Sequence, residues 1–242
     1  MKPLKIAIIG RGNVATHLAK ALGGKAELSI VNPRTLEGLP AETDLCLISV
    51  SDDAIAAVAS RLAGRDTLVA HTSGTTPMSV LEEAGCRRPA VIYPLQTFSK
   101  DVALEYSSIP VFIEAGAEAD LEVAERVAGL FSEKVTRADS DIRRKIHIAS
   151  VLSCNFVNHL WALSADLLAE DGIRFDILRP LIAETFRKTA EVSPRVGQTG
   201  PARRHDTKTI DAHLAMLADK PILHRIYSLL SQSIGDTYPL PK

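Results

Sequence analysis

The chain has 242 residues, of which 46% are hydrophobic and 24% charged, as in an ordinary globular protein with room for one large and one smaller domain. Its net charge of −1 argues against nucleic acid or an anionic membrane as a partner. Its three cysteines and seven histidines form no CxxC or HExxH pattern, so no metal site is predicted.

The amino-terminal residues run directly into the first strand pattern, which leaves no room for a signal peptide. No apolar run is expected to reach the roughly 20 residues of a membrane span. A cytoplasmic protein is therefore expected. Cys46 and Cys154 fall in a strand pattern and a helix pattern, and both are expected to be small core residues.

The first strand pattern ends in a glycine turn and passes straight into a helix pattern, since residues 6–15 read IAIIGRGNVA. A pyrophosphate can approach the free N–H groups at a helix start only if the turn carries no obstructing side chains, which Gly10 and Gly12 provide. The alternative is that these glycines only shape a tight turn. The predicted dinucleotide contacts are Gly10, Arg11, Gly12, Asn13 and Val14.

The second strand pattern, residues 28–31, ends about 20 residues past the glycine turn, where an NAD site places an acid on the ribose 2′-hydroxyl. This chain has Asn32 there, followed by Arg34 and Thr35. Without a carboxylate to repel a 2′-phosphate, and with a guanidinium and a hydroxyl to bind it, the sequence predicts NADP as the cofactor. The alternative is that Arg34 is a solvated loop arginine.

The third strand pattern, residues 44–50, is a continuous apolar run that leads into Ser51 and Asp52. In a doubly wound sheet the carboxyl end of this strand lies beside the cofactor. Ser51 and Asp52 are therefore candidate cofactor contacts, although capping of the helix that follows explains them almost equally well.

The fourth strand pattern, residues 67–71, runs into the loop HTSGTTP. A loop rich in hydroxyls and glycine at the carboxyl end of a strand is where such sheets hold nicotinamide and substrate. His71 and Thr72 are candidate substrate contacts, and Ser73 is a candidate catalytic residue. Because Ser73 is not in a Gly-x-Ser-x-Gly elbow, a nucleophilic hydrolase is not expected.

Three more strand patterns and a helix complete an α/β domain, and from residue 142 on the pattern is helical only. The predicted fold is a Rossmann-type doubly wound parallel sheet in residues 1–140, followed by a smaller all-α domain in residues 141–242. A helix predicted at 142–168 is apolar on more than one face. This pattern predicts a homodimer that forms through the helical domain.

A Gly-Pro turn precedes Arg203 and Arg204 at the start of a later helix pattern. Two guanidinium groups and the N–H groups of a helix start suit a substrate carboxylate or phosphate, so both arginines are candidate substrate contacts. The alternative is that Asp206 caps the helix while the arginines face solvent.

Six segments carry a family resemblance: GRGNVA, VSDDAI, HTSGTTP, YPLQTF, KIHIASVLSCNFVNHLW and QTGPARRHD. Together they resemble Rossmann-like proteins with a small all-helical C-terminal domain, which are labelled NADP oxidoreductases of the deazaflavin-coenzyme-dependent type. More distantly, the layout is similar to pyrroline-5-carboxylate reductase, ketopantoate reductase and the 6-phosphogluconate dehydrogenase group. The resemblance implies an NADP domain, a helical dimerisation domain and an active site where the two meet.

In the distant relatives, a lysine on the first helix of the second domain handles the proton that accompanies hydride transfer. The matching stretch contains Lys145 and His147, which the resemblance makes candidate catalytic residues, and Asn155 is a candidate substrate contact. Lys145 and Asn155 are ten residues apart, so their helix faces differ by about 80° and need not converge. The alternative is that Lys145 belongs to a solvated basic run, 143–145, and that His147 is a core histidine.

The expected function is hydride transfer between NADP(H) and a small carbonyl or imine compound at the interface of the two domains. The cofactor carries the hydride, and the protein must hold the substrate and supply a proton donor. The alternative from a different class is a non-catalytic NADP(H)-binding dimer that acts as a sensor or interaction protein.

Overall fold

The computed structural model describes residues 2–239. Met1 and residues 240–242, at the outer limits of the two predicted domains, lie outside the described residues. The chain divides into two compact units between Phe156 and Val157. The predicted domain boundary at residue 140 stays a prediction.

The first unit is built on a seven-stranded sheet with the strand order β2-β1-β3-β4-β5-β6-β7. Its strands are β1 (Lys5–Ile9), β2 (Glu27–Val31), β3 (Leu45–Ile48), β4 (Leu68–His71), β5 (Pro89–Pro94), β6 (Pro110–Ala115) and β7 (Lys134–Arg137). The first five strands are parallel, whereas β6 pairs antiparallel with β5 and β7 runs parallel to β6. The predicted parallel sheet is confirmed for β1 to β5, whereas β6 reverses direction, because no crossover helix joins β5 to β6.

Helices cover both faces of this sheet. They are α1 (Asn13–Leu22), α2 (Asp52–Ser60), α3 (Ser79–Glu83), α4 (Glu118–Gly129) and α5 (Ser140–Ser150). Ile6 and Ile8 of β1 share a hydrophobic core with α1 and α4, while Ala7 and Ile9 share the opposite core with α2 and α3. The alternation of β1 between two cores confirms the predicted doubly wound Rossmann-type arrangement.

The order of the strands determines where a ligand can bind. The chain runs from β1 to β2 on one side and then to β3 on the other, so the connections diverge at β1. Ligands of open α/β sheets bind in the crevice outside the carboxyl ends of the strands at such a switch point. This crevice contains the glycine turn after β1 and the start of α2 after β3.

Within residues 157–239 the regular structure is entirely helical, as predicted for this part of the chain. Its helices are α6 (Phe156–Ala169), which begins one residue earlier, α7 (Arg179–Lys188), α8 (Thr207–Met216) and α9 (Pro221–Thr237), with short 3-10 turns at Phe175–Leu178 and Ala202–Arg204.

One long helix, Ser140–Ala169, consists of α5, a π-helical segment at Val151–Asn155, and α6. By length and composition alone it is apolar enough to cross a membrane, contrary to the expectation that no segment would be. The expectation failed because serine, cysteine and asparagine interrupt the apolar run without adding charge. None of its most apolar window is buried, and Cys154 is exposed rather than part of the core, whereas Cys46 is buried as predicted.

Candidate active site

The two positions of the turn after β1 that carry glycine differ in whether the fold requires a glycine there. Gly10 has a φ of +150°, and a Cβ there would lie 2.0 Å from the Ser49 carbonyl oxygen, so the fold itself excludes a side chain. A Cβ on Gly12 would meet nothing within 4 Å, and its φ is an ordinary −76°. The fold therefore does not require glycine at position 12, and the space beside it is open to the close approach of a ligand to the backbone.

The start of α1 is suited to an anion. Its first turn contains no acidic residue, and no side chain caps its free N–H groups. The Asn13 side chain instead donates a hydrogen bond to the Phe98 carbonyl at 2.9 Å. Free N–H groups and the positive end of the helix dipole favour an anionic ligand, so the residues present fit the pyrophosphate of a dinucleotide.

A first cavity, of about 580 Å³, lies beside this helix end. Its walls come from the glycine turn and from the carboxyl ends of β3, β4 and β5. The structure thus brings together most of the predicted cofactor contacts and part of the predicted substrate loop. The predicted residues that line it are Arg11, Gly12, Asn13, Val14, Ser51, Asp52, Thr72, Ser73 and His147.

The loop after β2 adjoins the first cavity through Pro33. The Asn32 side chain accepts a hydrogen bond from the Arg34 N–H at 2.9 Å and so shapes the turn itself. Arg34 and Thr35 are exposed. Among the residues that the structure describes, none forms a hydrogen bond or ion pair with the Arg34 guanidinium, which leaves it available to a ligand.

The polar residues after β4 mostly stabilise their own loop. The Ser73 hydroxyl accepts hydrogen bonds from the N–H groups of Thr75 at 3.1 Å and Thr76 at 3.0 Å. The Thr75 hydroxyl donates to the Asp52 carboxylate at 2.5 Å. Ser73, a predicted catalytic residue, therefore has a clear role in shaping this turn.

His71, a predicted substrate contact, lies beneath the same loop and does not line the first cavity. It is fully buried, and its Nδ1 accepts a hydrogen bond from the Ser73 N–H at 3.2 Å. Burial, with a smaller contribution from the nearby Arg143 guanidinium, lowers the pKa of His71 to about 4. The imidazole is therefore neutral at pH 7.

A second cavity, of about 830 Å³, adjoins the first. The segment after β5 forms one wall, and α5 with the π-helical segment forms the other, including the predicted substrate contact Asn155. No described lining residue is a lysine, arginine, aspartate or glutamate. Six residues line both cavities: Asn13, Val14, Tyr93, Gln96, Phe98 and His147.

A tyrosine and a histidine form a pair where the two cavities meet. The Tyr93 hydroxyl lies 3.1 Å from His147 Nδ1, and burial raises the pKa of Tyr93, which keeps the hydroxyl protonated. Gly74 makes room for the pair, because a Cβ there would lie 2.6 Å from His147 Nδ1 and 2.7 Å from Tyr93 Cζ. Sequence reasoning missed Tyr93, although its place near the carboxyl end of a parallel strand was a usable signal.

Arg143 anchors α5 one turn before His147. Its guanidinium is buried, forms an ion pair with Glu114 on β6 and donates to the Thr76 carbonyl at 2.6 Å. The interpretation of residues 143–145 as a solvated basic run is therefore wrong for Arg143. Lys145 is exposed and lines neither cavity, so the structure does not bring this predicted catalytic residue to the pair.

The predicted substrate arginines lie in the second unit and are exposed. Asp206 accepts a hydrogen bond from the Thr209 N–H at 3.1 Å and caps α8, as the capping alternative proposed. The Arg203 guanidinium lies 4.7 Å from the centre of the Tyr238 ring. A substrate role for Arg203 and Arg204 stays a prediction.

The doubly wound sheet, its glycine turn and the helical region that follows define a Rossmann-like fold of the kind found in oxidoreductases. Residues 109–234 match the family described as a domain of unknown function, DUF2520. The chain belongs to this family. No curated protein matches the chain significantly.

Solved structures confirm the resemblance that the sequence motifs indicated. The "putative NADP oxidoreductase" of Bacteroides fragilis is 39% identical, with 97% of this chain and 98% of that chain covered and a TM-score of 0.88. A reductive aminase of Aspergillus terreus in complex with NADPH and ethyl levulinate is 14% identical, with 98% and 95% covered and a TM-score of 0.69. Pyrroline carboxylate reductase of Plasmodium falciparum with NADP bound is 11% identical, with 99% and 100% covered and a TM-score of 0.55.

Proposed function

We propose that this protein is an NADP-dependent oxidoreductase that transfers a hydride between NADP(H) and a small carbonyl or imine compound. The observation that carries the proposal is the junction of the two cavities at Tyr93 and His147. The similar structures support the cofactor, since the reductive aminase holds NADPH and the pyrroline carboxylate reductase holds NADP. The predicted position of the active site at a domain interface stays a prediction.

The cofactor binds where the fold leaves its backbone open. The N–H groups at the start of α1 would hold the pyrophosphate, and Gly12 leaves the space beside them free of a side chain. Arg34, whose guanidinium has no partner among the described residues, would bind the ribose 2′-phosphate, and Thr35 would offer a hydroxyl next to it. A planar guanidinium is the side chain best suited to grip a phosphate group with two hydrogen bonds.

The chain supplies the proton that the reduction requires. Bound NADPH supplies the hydride to the substrate carbon. The Tyr93 hydroxyl donates its proton to the carbonyl oxygen or imine nitrogen, and the tyrosine oxygen regains a proton from solvent. His147 Nδ1, 3.1 Å away, holds the tyrosine oxygen in place during this transfer. The products are the alcohol or amine and oxidised cofactor.

The second cavity favours an uncharged substrate. Leu95, Phe98 and Ile146 provide apolar surface, while Ser150 and Asn155 provide neutral hydrogen-bonding groups. A substrate carboxylate or phosphate would find no lysine or arginine among the described lining residues. Uncharged ketones and cyclic imines are therefore the compounds to screen first.

The first test of the proposal is Tyr93→Phe, which removes the proton donor and keeps the ring. We expect its NADPH oxidation with a responsive ketone or imine to fall by about 100-fold or more, with NADPH affinity unchanged. His147→Asn should act in the same direction. Steady-state kinetics and a separate NADPH titration make the measurement.

Tyr227→Phe is the matched control, because Tyr227 pairs with His213 at 2.7 Å within the second unit and lines neither cavity. Full turnover in Tyr93→Phe would show that another group donates the proton. NADPH binding without oxidation across the whole panel would favour the sensor alternative.

We further propose that a second copy of the chain covers the exposed face of the long helix. Ile148, Leu152 and Phe156 follow at spacings of four residues and are 60%, 57% and 55% exposed. Large apolar side chains at this spacing form one continuous stripe, which a soluble monomer rarely leaves uncovered.

The cytoplasmic location stays a prediction.

A further inference from the structure

The loop after β2 has an unusual backbone requirement. Three successive carbonyl groups, those of Pro33, Arg34 and Thr35, accept hydrogen bonds from one side chain. The next residue, Leu36, has a φ of +57°, in the left-handed region that non-glycine residues seldom adopt. Hydrogen bonds within the loop, such as that from the Leu36 N–H to the Asn32 carbonyl at 2.8 Å, satisfy part of its backbone, and the side chain from outside satisfies these three carbonyl groups.

Arg61, the first residue after α2, supplies that restraint. Its guanidinium donates to the carbonyl oxygens of Pro33 at 3.3 Å, Arg34 at 2.6 Å and Thr35 at 2.8 Å. Only arginine offers several N–H donors in a rigid planar fork, whereas lysine presents a single ammonium on a flexible stem. The contact is therefore specific to arginine and is not an effect of charge alone.

The restraint acts on the residues that are proposed to recognise the ribose phosphate. Arg61 occupies the carbonyl groups of Arg34 and Thr35 and leaves both of their side chains exposed. The helix before it, α2, begins at Asp52 in the wall of the first cavity. One helix thus borders the cofactor cavity at its start and fixes the loop after β2 from its end.

We infer that Arg61 is a positioning residue that sets the preference for NADPH over NADH by holding Arg34 at the ribose 2′-phosphate. The inference rests on the proposed function. Arg61 acts through the loop backbone, and ordering that backbone before binding reduces the entropy that the ligand must offset. Its effect should therefore depend on Arg34.

The test is R61K, which keeps the charge and removes the planar fork. We expect NADPH to bind roughly tenfold more weakly while NADH affinity stays unchanged, because NADH has no 2′-phosphate to lose contact with. Amide hydrogen exchange in residues 34–37 should become faster in the variant. R65K is the matched control, since Arg65 is exposed nearby in the sequence and makes no side-chain hydrogen bond to a described residue.

A double variant separates the inference from its alternatives. In R34A the NADPH preference should already be lost, and adding R61K should change the NADPH-to-NADH affinity ratio by less than about twofold. An unchanged ratio in R61K, or equal weakening of both nucleotides, would overturn the role of Arg61 and leave the proposed function standing. Failure of the wild-type protein to bind NADPH would overturn the proposed function itself, and this inference with it.

Discussion

At the scale of single residues, the buried His71 makes the stability of the folded protein depend on pH. The folded protein keeps this imidazole neutral, with a pKa of about 4, whereas an unfolded chain protonates it near pH 6.5. Between these values the unfolded state binds more protons, so the free energy of unfolding falls as the pH falls. The contribution of His71 to the free energy of unfolding is fully present above about pH 6.5 and is lost as the pH falls toward 4.

The loss is on the order of 3 kcal/mol. Urea unfolding of wild-type protein and His71→Asn at pH 7 and at pH 4.5 measures it, because asparagine keeps an acceptor for the Ser73 N–H and does not titrate. We expect the wild type to lose clearly more stability than the variant over this range. Equal losses would mean that His71 is not the titrating group.

The two glycines of the turn show what sequence can and cannot separate. Gly10 and Gly12 belong to one motif, and the sequence predicted the same role for both. Only the backbone geometry distinguishes them, since a Cβ on Gly10 would strike the Ser49 carbonyl oxygen and a Cβ on Gly12 would meet nothing. The fold therefore requires glycine at position 10, whereas contact of Gly12 with the cofactor stays a prediction.

Charged residues are the hardest to place from sequence. Arg143 stands in a run of three basic residues, yet it is buried against Glu114, 29 positions earlier in the chain. The sequence around Arg143 does not indicate Glu114 as its partner, because the pairing depends on how α5 packs against β6. Removing one member of such a buried pair costs about 3–5 kcal/mol, so the pair fixes the position of His147 one turn later.

At the scale of elements, the long helix was predicted at 142–168, close to the observed Ser140–Ala169. Its π-helical segment at Val151–Asn155 was not predicted, since neither proline nor glycine marks it. Such segments shift the register of a helix and are frequent at functional sites. Asn155 lies in this segment and lines the second cavity, whereas Lys145 lies before it and does not.

The same helix carries the prediction about assembly. Leu152→Glu should convert a dimer into a monomer, because the charge would have to be buried against the partner copy. Size-exclusion chromatography with light scattering at several protein concentrations measures the mass. Val102→Glu is the matched control, since Val102 is 56% exposed and lies outside the helix.

A wild-type protein that stays monomeric at all concentrations would contradict the dimer. A monomer that co-sediments with phospholipid vesicles would assign the apolar stripe to a membrane surface instead.

At the scale of the whole molecule, the alternation of strands and helices predicted the architecture because each strand of a doubly wound sheet is a short apolar run. The direction of β6 could not be read this way, since its residues resemble those of a parallel strand. The candidate site was predicted in part, through the glycine turn, the loop after β4 and His147. Tyr93, Gly74 and Arg61 were not predicted as site residues, because their contacts join parts of the chain that are distant in sequence, such as Tyr93 on β5 and His147 on α5.

Binding of NADPH tests the central claim most directly. Titration of wild-type protein and Arg34→Ala with NADPH and NADH, followed by nicotinamide fluorescence, measures both affinities. We expect the wild type to prefer NADPH roughly tenfold to hundredfold, and the variant to bind NADPH no better than NADH. Equal affinity of the wild type for both nucleotides, or binding of neither, would contradict the account.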